Sequence, residues 1–317
     1  EILVRGGVTE RMYRALADWT RPLPGGLLHT NIAASTIFAS ISGSSVATAA
    51  TIGTVAFPTF RKQNYKESWV AGSVASGATL GILIPPSINL IIYGAITNTS
   101  IGALFTAGIL PGIVLAASFM GIIIIACLIN PAIAGKPEAM APWAERRQRL
   151  VDLVPPLIIF VLVMGSIYLG FATPTEAAGV GVIAAFGLTA FYRTLNWPML
   201  REALLSCVTT TGMTLLILIA AFYLNFILGV LGVPGQVSSF VSSFDVQPVV
   251  MILLLVCLYM ALGCFLDALA MMIATIPIVL PIVLLIGYDS VWFGIFLVLM
   301  CELALITPPV GMNLYVT

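Results

Sequence analysis

Apolar runs of roughly membrane-spanning length follow one another along almost the whole chain, at about 69–94, 101–129, 153–171, 175–192, 207–231, 248–286 and 292–317. A helix needs roughly 20 such residues to cross about 30 Å of hydrocarbon, and the connections are too short to hold a soluble domain of ordinary size. Backbone N–H and C=O groups find no water in a bilayer, so runs of this kind must close their hydrogen bonds within helices. The 317 residues are 60% hydrophobic and only 8% charged, with a mean hydropathy of +1.10, outside the mix of a soluble domain. The reading is an all-α integral membrane protein filled by a single membrane domain. Net charge is zero and the basic residues sit in short loops rather than on one face, which excludes the electrostatic footprint of nucleic-acid binding. Cys127, Cys207, Cys257, Cys264 and Cys301 lie in or beside apolar runs with no paired spacing, and read as packing residues. The chain opens on Glu1 without a signal-like segment and stops at Thr317 inside an apolar run, so both ends are expected to be truncated.

The charges supply a topology. All thirteen basic residues are Arg5, Arg11, Arg14, Arg21, Arg61, Lys62, Lys66, Lys136, Arg146, Arg147, Arg149, Arg193 and Arg201. If 25–60 and 248–286 each enter and leave by the same face, as re-entrant hairpins, every one of them falls on one side. Loops 95–100, 172–174, 232–247 and 287–291 then carry none. The positive-inside tendency makes the basic side cytoplasmic. Before the first hairpin, VTERMYRALADW sets Val8, Met12, Ala15, Leu16 and Trp19 on one helical face and Glu10, Arg11, Arg14 and Asp18 largely on the other. Residues 1–24 therefore read as an amphipathic arm at the membrane surface, with packing against a partner as the alternative.

A shift of 223 residues superimposes Pro58 on Pro281, Trp69 on Trp292, Pro85 on Pro308 and Pro86 on Pro309, and carries Ser44 to Asp267. An odd number of crossings separates the two copies, so the second is inverted, a signature of secondary transporters. At about 1.5 Å per helical residue, Pro85 lies roughly 24 Å from Trp69, and the tip SGSSVAT reaches a similar depth. Each Pro-Pro pair releases carbonyl groups from the helix ladder, and in hydrocarbon these are tolerated only when buried in protein or lining a polar cavity.

A hard cation takes oxygen ligands. Candidates in the first copy are Gly43, Ser44, Ser45, Thr48, Pro85, Pro86, Ser87 and Asn89, and in the second Gly263, Asp267, Thr307, Pro308, Gly311 and Asn313. Zinc lacks ligands, since His29 has no clustered partner, and magnesium or calcium would want more carboxylates. Sodium fits best by elimination. A proton stays open as the alternative while Asp267, Glu302 and Glu176 stand as candidate relays. Glu176 also reads as a capping residue for the helix begun at Thr173. No nucleophile with its base and no nucleotide-binding glycine loop occurs, so the chain does not read as an enzyme or an ATP-driven pump.

Five stretches, SGSSVATAATIGTVAFP, GATLGILIPPSINLIIYGAIT, ATPTEAAGVG, LGCFLDALAMMIATIPIVLPI and ELALITPPVGMNLYV, occur in the order found in the large membrane subunit of TRAP (tripartite ATP-independent periplasmic) transporters. The chain resembles that family along nearly its whole length. The resemblance implies a sodium-coupled secondary transporter of the inverted-repeat, elevator type, importing organic acids such as C4-dicarboxylates or sialic acid across a bacterial inner membrane. It implies two partners, a small membrane subunit and a periplasmic solute-binding protein. The mobile part would be roughly 25–94 (hairpin 25–60, broken helix 69–94) and 245–317 (hairpin 248–286, broken helix 292–317). Residues 101–231 would form scaffold and connecting helices, and 232–247 a periplasmic connection. Sodium would lie where each tip meets a helix break, and the solute between the tips, touching Ser44, Ser45, Asn89, Thr307 and Asn313. No basic residue lies at that depth, so hydroxyls, backbone amides and the bound cations would hold a carboxylate. The rival readings are a single-component divalent-anion symporter and a non-transporting membrane scaffold.

Overall fold

The computed structural model describes residues 1–135, 141–243, 247–309 and 311–316. Lys136, Val310 and positions 244–246 of the 232–247 connection lie outside the described residues. The described chain is all-helical: α1 Ile2–Arg5, α2 Val8–Thr20, α3 Leu27–Ser42, α4 Ser45–Lys62, α5 Glu67–Leu83, α6 Ile88–Thr97, α7 Ile101–Ile129, α8 Trp143–Arg149, α9 Val154–Tyr168, α10 Pro174–Phe191, α11 Trp197–Val230, α12 Val233–Ser242, α13 Pro248–Gly263, α14 Ala268–Leu285, α15 Ser290–Ile306 and α16 Met312–Val316. Short 3-10 turns lie at Pro131–Ala134 and Leu150–Leu153. Among the described residues six helical stretches, with α5 and α6 counted as one and α8 through α9 as another, are long and apolar enough to cross a membrane. The chain is a multi-pass membrane protein.

The internal repeat is visible in helix boundaries. Shifted by 223 residues, Ser45–Lys62 becomes Ala268–Leu285 and Glu67–Leu83 becomes Ser290–Ile306, so both ends of both helices coincide. Local chemistry accounts for the breaks. Gly43 ends α3 at φ 62°, a left-handed conformation that only glycine adopts without steric cost. Ser44 then turns extended and caps α4, its hydroxyl accepting from the Ala47 amide at 3.4 Å. In the second copy Asp267 takes the same role for α14, accepting from Leu269 N at 3.0 Å and Ala270 N at 3.3 Å. Helices α5 and α15 both stop one residue before a diproline. Ile84 and Thr307 swing to ψ 124° and 126°, as a residue preceding proline must. Both Pro-Pro bonds are cis.

Helices α3, α4 and α5 pack against one another, as do α13, α14 and α15. The two groups meet along α5 and α15, and their trailing segments are exchanged: α6 packs on α14 and α15, while α16 packs on α4 and α5. Two apolar cores result, one around Phe38, Phe60 and Leu80, the other around Tyr93, Tyr259 and Phe293. The Tyr93 hydroxyl donates to the Ser290 carbonyl at 2.6 Å and ties the copies together. Facing this body, α11 buries only Met199 and Ala203 over its 34 residues.

Several of the basic residues are fastened to distant parts of the chain. Arg5 pairs with Glu202, the Arg11 guanidinium lies 4.2 Å from the Tyr192 ring centroid, and Arg149 bonds Asp18 at 2.8 Å. Tyr65, just past α4, accepts from the Leu27 amide at the start of α3 at 3.3 Å, so the first helix pair returns to where it began. Met12 and Ala15 of α2 are buried as the apolar face predicts, and Glu10 and Arg14 are exposed. Asp18, expected on the polar face, is instead buried, because α2 packs on α3 and on α8 and Arg149 reaches it from 131 positions along the chain.

Two expectations follow. Deleting the buried carboxylate removes a charge-assisted hydrogen bond, worth about 1.5–3 kcal/mol, against about 0.3–0.5 kcal/mol for an exposed i,i+4 pair. Asp18→Ala should therefore lower the thermal transition of the purified protein clearly, and Glu10→Ala, which frees the exposed Arg14, barely. A Cβ on Gly81 would stand 2.9 Å from the Ser44 carbonyl, and one on Gly263 2.5 Å from the Ala304 Cβ, which is the position 223 residues after Gly81. Gly81→Val and Gly263→Val should each cost about 1–3 kcal/mol by forcing a tip off its helix, read in the same assay against Gly121→Val, where the space is open.

Candidate functional site

The first tip and the first break are in contact. A Cβ on Gly43 would stand 2.9 Å from the Pro86 carbonyl oxygen and 3.5 Å from the Ile88 amide nitrogen, so the left-handed turn lies directly on the diproline. The Ser45 hydroxyl, fully buried, donates to the Thr79 carbonyl at 3.2 Å, and the Thr48 hydroxyl donates to the Ser44 carbonyl at 2.7 Å and lies 2.9 Å from the Ser42 hydroxyl. The Ile82 carbonyl, freed because Pro86 has no N–H, accepts from the Ser87 hydroxyl at 2.5 Å. One of the orphaned carbonyls thus has a partner within the chain. The Ser45 and Thr48 hydroxyls and the Pro86 carbonyl all lie beside this turn.

The second copy is looser. Gly263 meets Ala304, one turn before the break, and the Cys301 thiol donates to the Ala268 carbonyl at 3.4 Å, fastening the start of α14 to α15. The Thr307 hydroxyl bonds back to the Leu303 carbonyl at 2.6 Å. Gly311, at φ 48°, reverses the chain into α16, whose Asn313 reaches the Ala75 carbonyl of α5 at 3.4 Å. Asp267 is engaged by the two α14 amides. No contact joins it to Thr307, Pro308 or Asn313 among the described interactions, so this set is brought near but not closed.

Both tips and both post-break helices open onto one cavity of about 790 Å³. Ser44, Ser45, Pro86 and Asn89 line it from the first copy, and Asp267, Leu305 and Met312 from the second. Among the described residues lining it there is no lysine or arginine. Asn89 is 4% exposed, and its amide nitrogen lacks a hydrogen-bond partner. The far wall comes from α9, α10 and α11, including Phe160, Val163, Ala178, Thr210, Thr211 and Thr214. The sequence places these helices in the scaffold without giving any of their side chains a part in the site, although the α11 positions 200, 203, 204, 207, 210, 211 and 214 fall on one helical face.

The acidic relay candidates separate. Glu176 forms a capping box, accepting from the Thr173 amide and hydroxyl at 2.8 Å while its own amide bonds Thr173 at 3.4 Å. Glu302, on α15, is 3% exposed and neither carboxyl oxygen has a hydrogen-bond partner. A carboxylate there without a proton or a cation would be costly. The His29 ring bonds the Pro24 carbonyl at 2.8 Å through Nε2, and its Nδ1 has no partner.

The comparisons with known proteins agree with this architecture. The family model described as the DctM component of the tripartite ATP-independent periplasmic transporter matches residues 1–317. The chain is 34% identical over 317 residues to the C4-dicarboxylate TRAP transporter large permease protein DctM of Pseudomonas aeruginosa, covering 99% of this chain and 73% of that protein. It is 33% identical over 315 residues to the sialic acid TRAP transporter large permease protein SiaM of Vibrio cholerae, covering 98% and 72%. It is 29% identical over 317 residues to the ectoine/5-hydroxyectoine large permease UehC of Ruegeria pomeroyi, covering 99% and 73%. These relatives are permease subunits rather than enzymes. On the whole-length family match, the chain belongs to the DctM family, the large permease subunits of TRAP transporters.

Proposed function

We propose that this permease imports a small organic anion across a bacterial inner membrane, driven by sodium, together with a small membrane subunit and a periplasmic solute-binding protein. Helices α3–α6 and α13–α16 form the moving body, with the two helix pairs as re-entrant hairpins, and the chain from α7 to α11 is the scaffold it slides against. The observation that carries this reading is the shared cavity. The two tips, the first helix break and residues flanking the second, Leu305 and Met312, line one space that offers hydroxyls, an amide and the Asp267 carboxylate but, among the described residues, no lysine or arginine. An anion there lacks a fixed countercharge, and monovalent cations held at the tips would supply one. Ser44, Ser45, Thr48 and Pro86 have the oxygen chemistry to hold the first cation; Gly263, Asp267 and Thr307 would contribute to the second. A divalent ion would want more carboxylates than Asp267 alone. The relatives named for C4-dicarboxylates and sialic acid support an organic acid as solute.

Reconstituted with its partners, the permease should take up labelled organic acid in a sodium gradient and lose that uptake when choline replaces sodium at fixed pH. Unchanged uptake in choline would reject the coupling, and pH-driven uptake in its place would move the role to Glu302. Uptake that persists without the binding protein would favour a single-component symporter. Ser45→Leu should abolish transport while leaving expression intact, because a bulky side chain cannot fit between the tip and the Thr79 carbonyl. Normal transport by that variant would remove the tip from the site.

A further inference from the structure

The face of α11 that lines the cavity changes character along its length. Leu200, Ala203 and Leu204 are apolar, and the next positions on the same face are Cys207, Thr210, Thr211 and Thr214. Outside this face α11 carries large exposed apolar side chains such as Leu215, Leu216, Ile219 and Phe226, as suits lipid. At about 1.5 Å per residue the polar stretch begins roughly 15 Å from Trp197, within the span of the membrane. The Thr214 hydroxyl bonds back to the Thr210 carbonyl at 2.9 Å, and Cys207 lies 3.9 Å from the Thr211 hydroxyl. Across the same cavity stands Asn89, nine-tenths buried, with an amide nitrogen that has no partner. A buried N–H donor left unpaired costs stability that a bound acceptor would recover.

We infer that the Cys207, Thr210, Thr211 and Thr214 face of α11 is the stationary half of the solute site, its Thr210 and Thr211 hydroxyls donating to the carboxylate of an organic acid whose other side is held by Asn89. This rests on the transport reading above and assigns the scaffold a direct part in solute selection. Hydroxyls suit that place. They bond a carboxylate without a fixed charge, so the solute is released when the moving body carries Asn89 and the tips past α11. Cys207 provides a native reporter, since Cys127 and Cys301 are buried and only Cys257 and Cys264 would need replacement.

The test uses the permease with its partners in proteoliposomes, carrying Cys257→Ser and Cys264→Ser. The anionic reagent sulfonatoethyl methanethiosulfonate should modify Cys207, and saturating succinate or sialic acid, whichever is taken up, should slow that modification about tenfold. Thr211→Val, which keeps shape and deletes the hydroxyl, should raise the KM for solute about fivefold with little change in maximal rate, and Thr211→Ser should restore it. Sodium-dependent uptake with Cys207 unreactive, or labelled equally with and without solute, or with the KM of Thr211→Val unchanged, overturns this inference and leaves the transport reading standing. Absence of any organic-acid uptake by the parent protein overturns both.

Discussion

In hydrocarbon a backbone carbonyl or amide has no solvent to fall back on, and every feature of this protein's centre is arranged around four places where the helical ladder is interrupted. Two interruptions come from prolines, which remove donors that the preceding carbonyls need. The other two are the tips, where Gly43 and the turn before Asp267 leave helix starts exposed. Serine, threonine and aspartate side chains close part of the deficit. Ser87 takes the Ile82 carbonyl, Thr307 the Leu303 carbonyl, and Asp267 the first amides of α14.

The exchange of α6 and α16 between the two copies gives the interruptions a common frame. Each diproline belongs by sequence to one copy, yet the segment that follows packs on helices of the other. The consequence is mechanical: a tip cannot shift against its break without disturbing contacts such as Tyr93 with Ser290 or Asn313 with Ala75. By contrast, α11 buries few side chains of its own, although it packs on α14 and lays Ile217, Leu218 and Ala221 against the second core.

The repeat, the diproline breaks and the glycine-serine tip were legible in the sequence because each depends on local chemistry: proline's missing donor, glycine's left-handed freedom, an N-cap oxygen. The offset of 223 even placed the boundaries of α4 against α14 and of α5 against α15. Partners supplied from far along the chain were not legible. Asp18 sat on the polar face of α2 by periodicity, and Arg149, reaching it from far along the chain beside the local Arg21, makes its burial tolerable. The capping of Ile82 by Ser87 depends on how the chain turns through Pro85 and Pro86. The Thr210, Thr211 and Thr214 face of α11 was readable as spacing, but the apolar average of a 34-residue helix hides three hydroxyls that share one side.

The cavity's charge balance unites these elements. In the proposed reading, an anion in a cavity with no lysine or arginine among its described lining residues takes its countercharge from cations held at the tips. The most direct measurement is the thermal transition of the purified permease titrated with sodium chloride against choline chloride at equal ionic strength. A saturable rise with sodium, absent with choline and lost in Ser45→Leu, is the predicted result. Identical curves in the two salts would contradict the account.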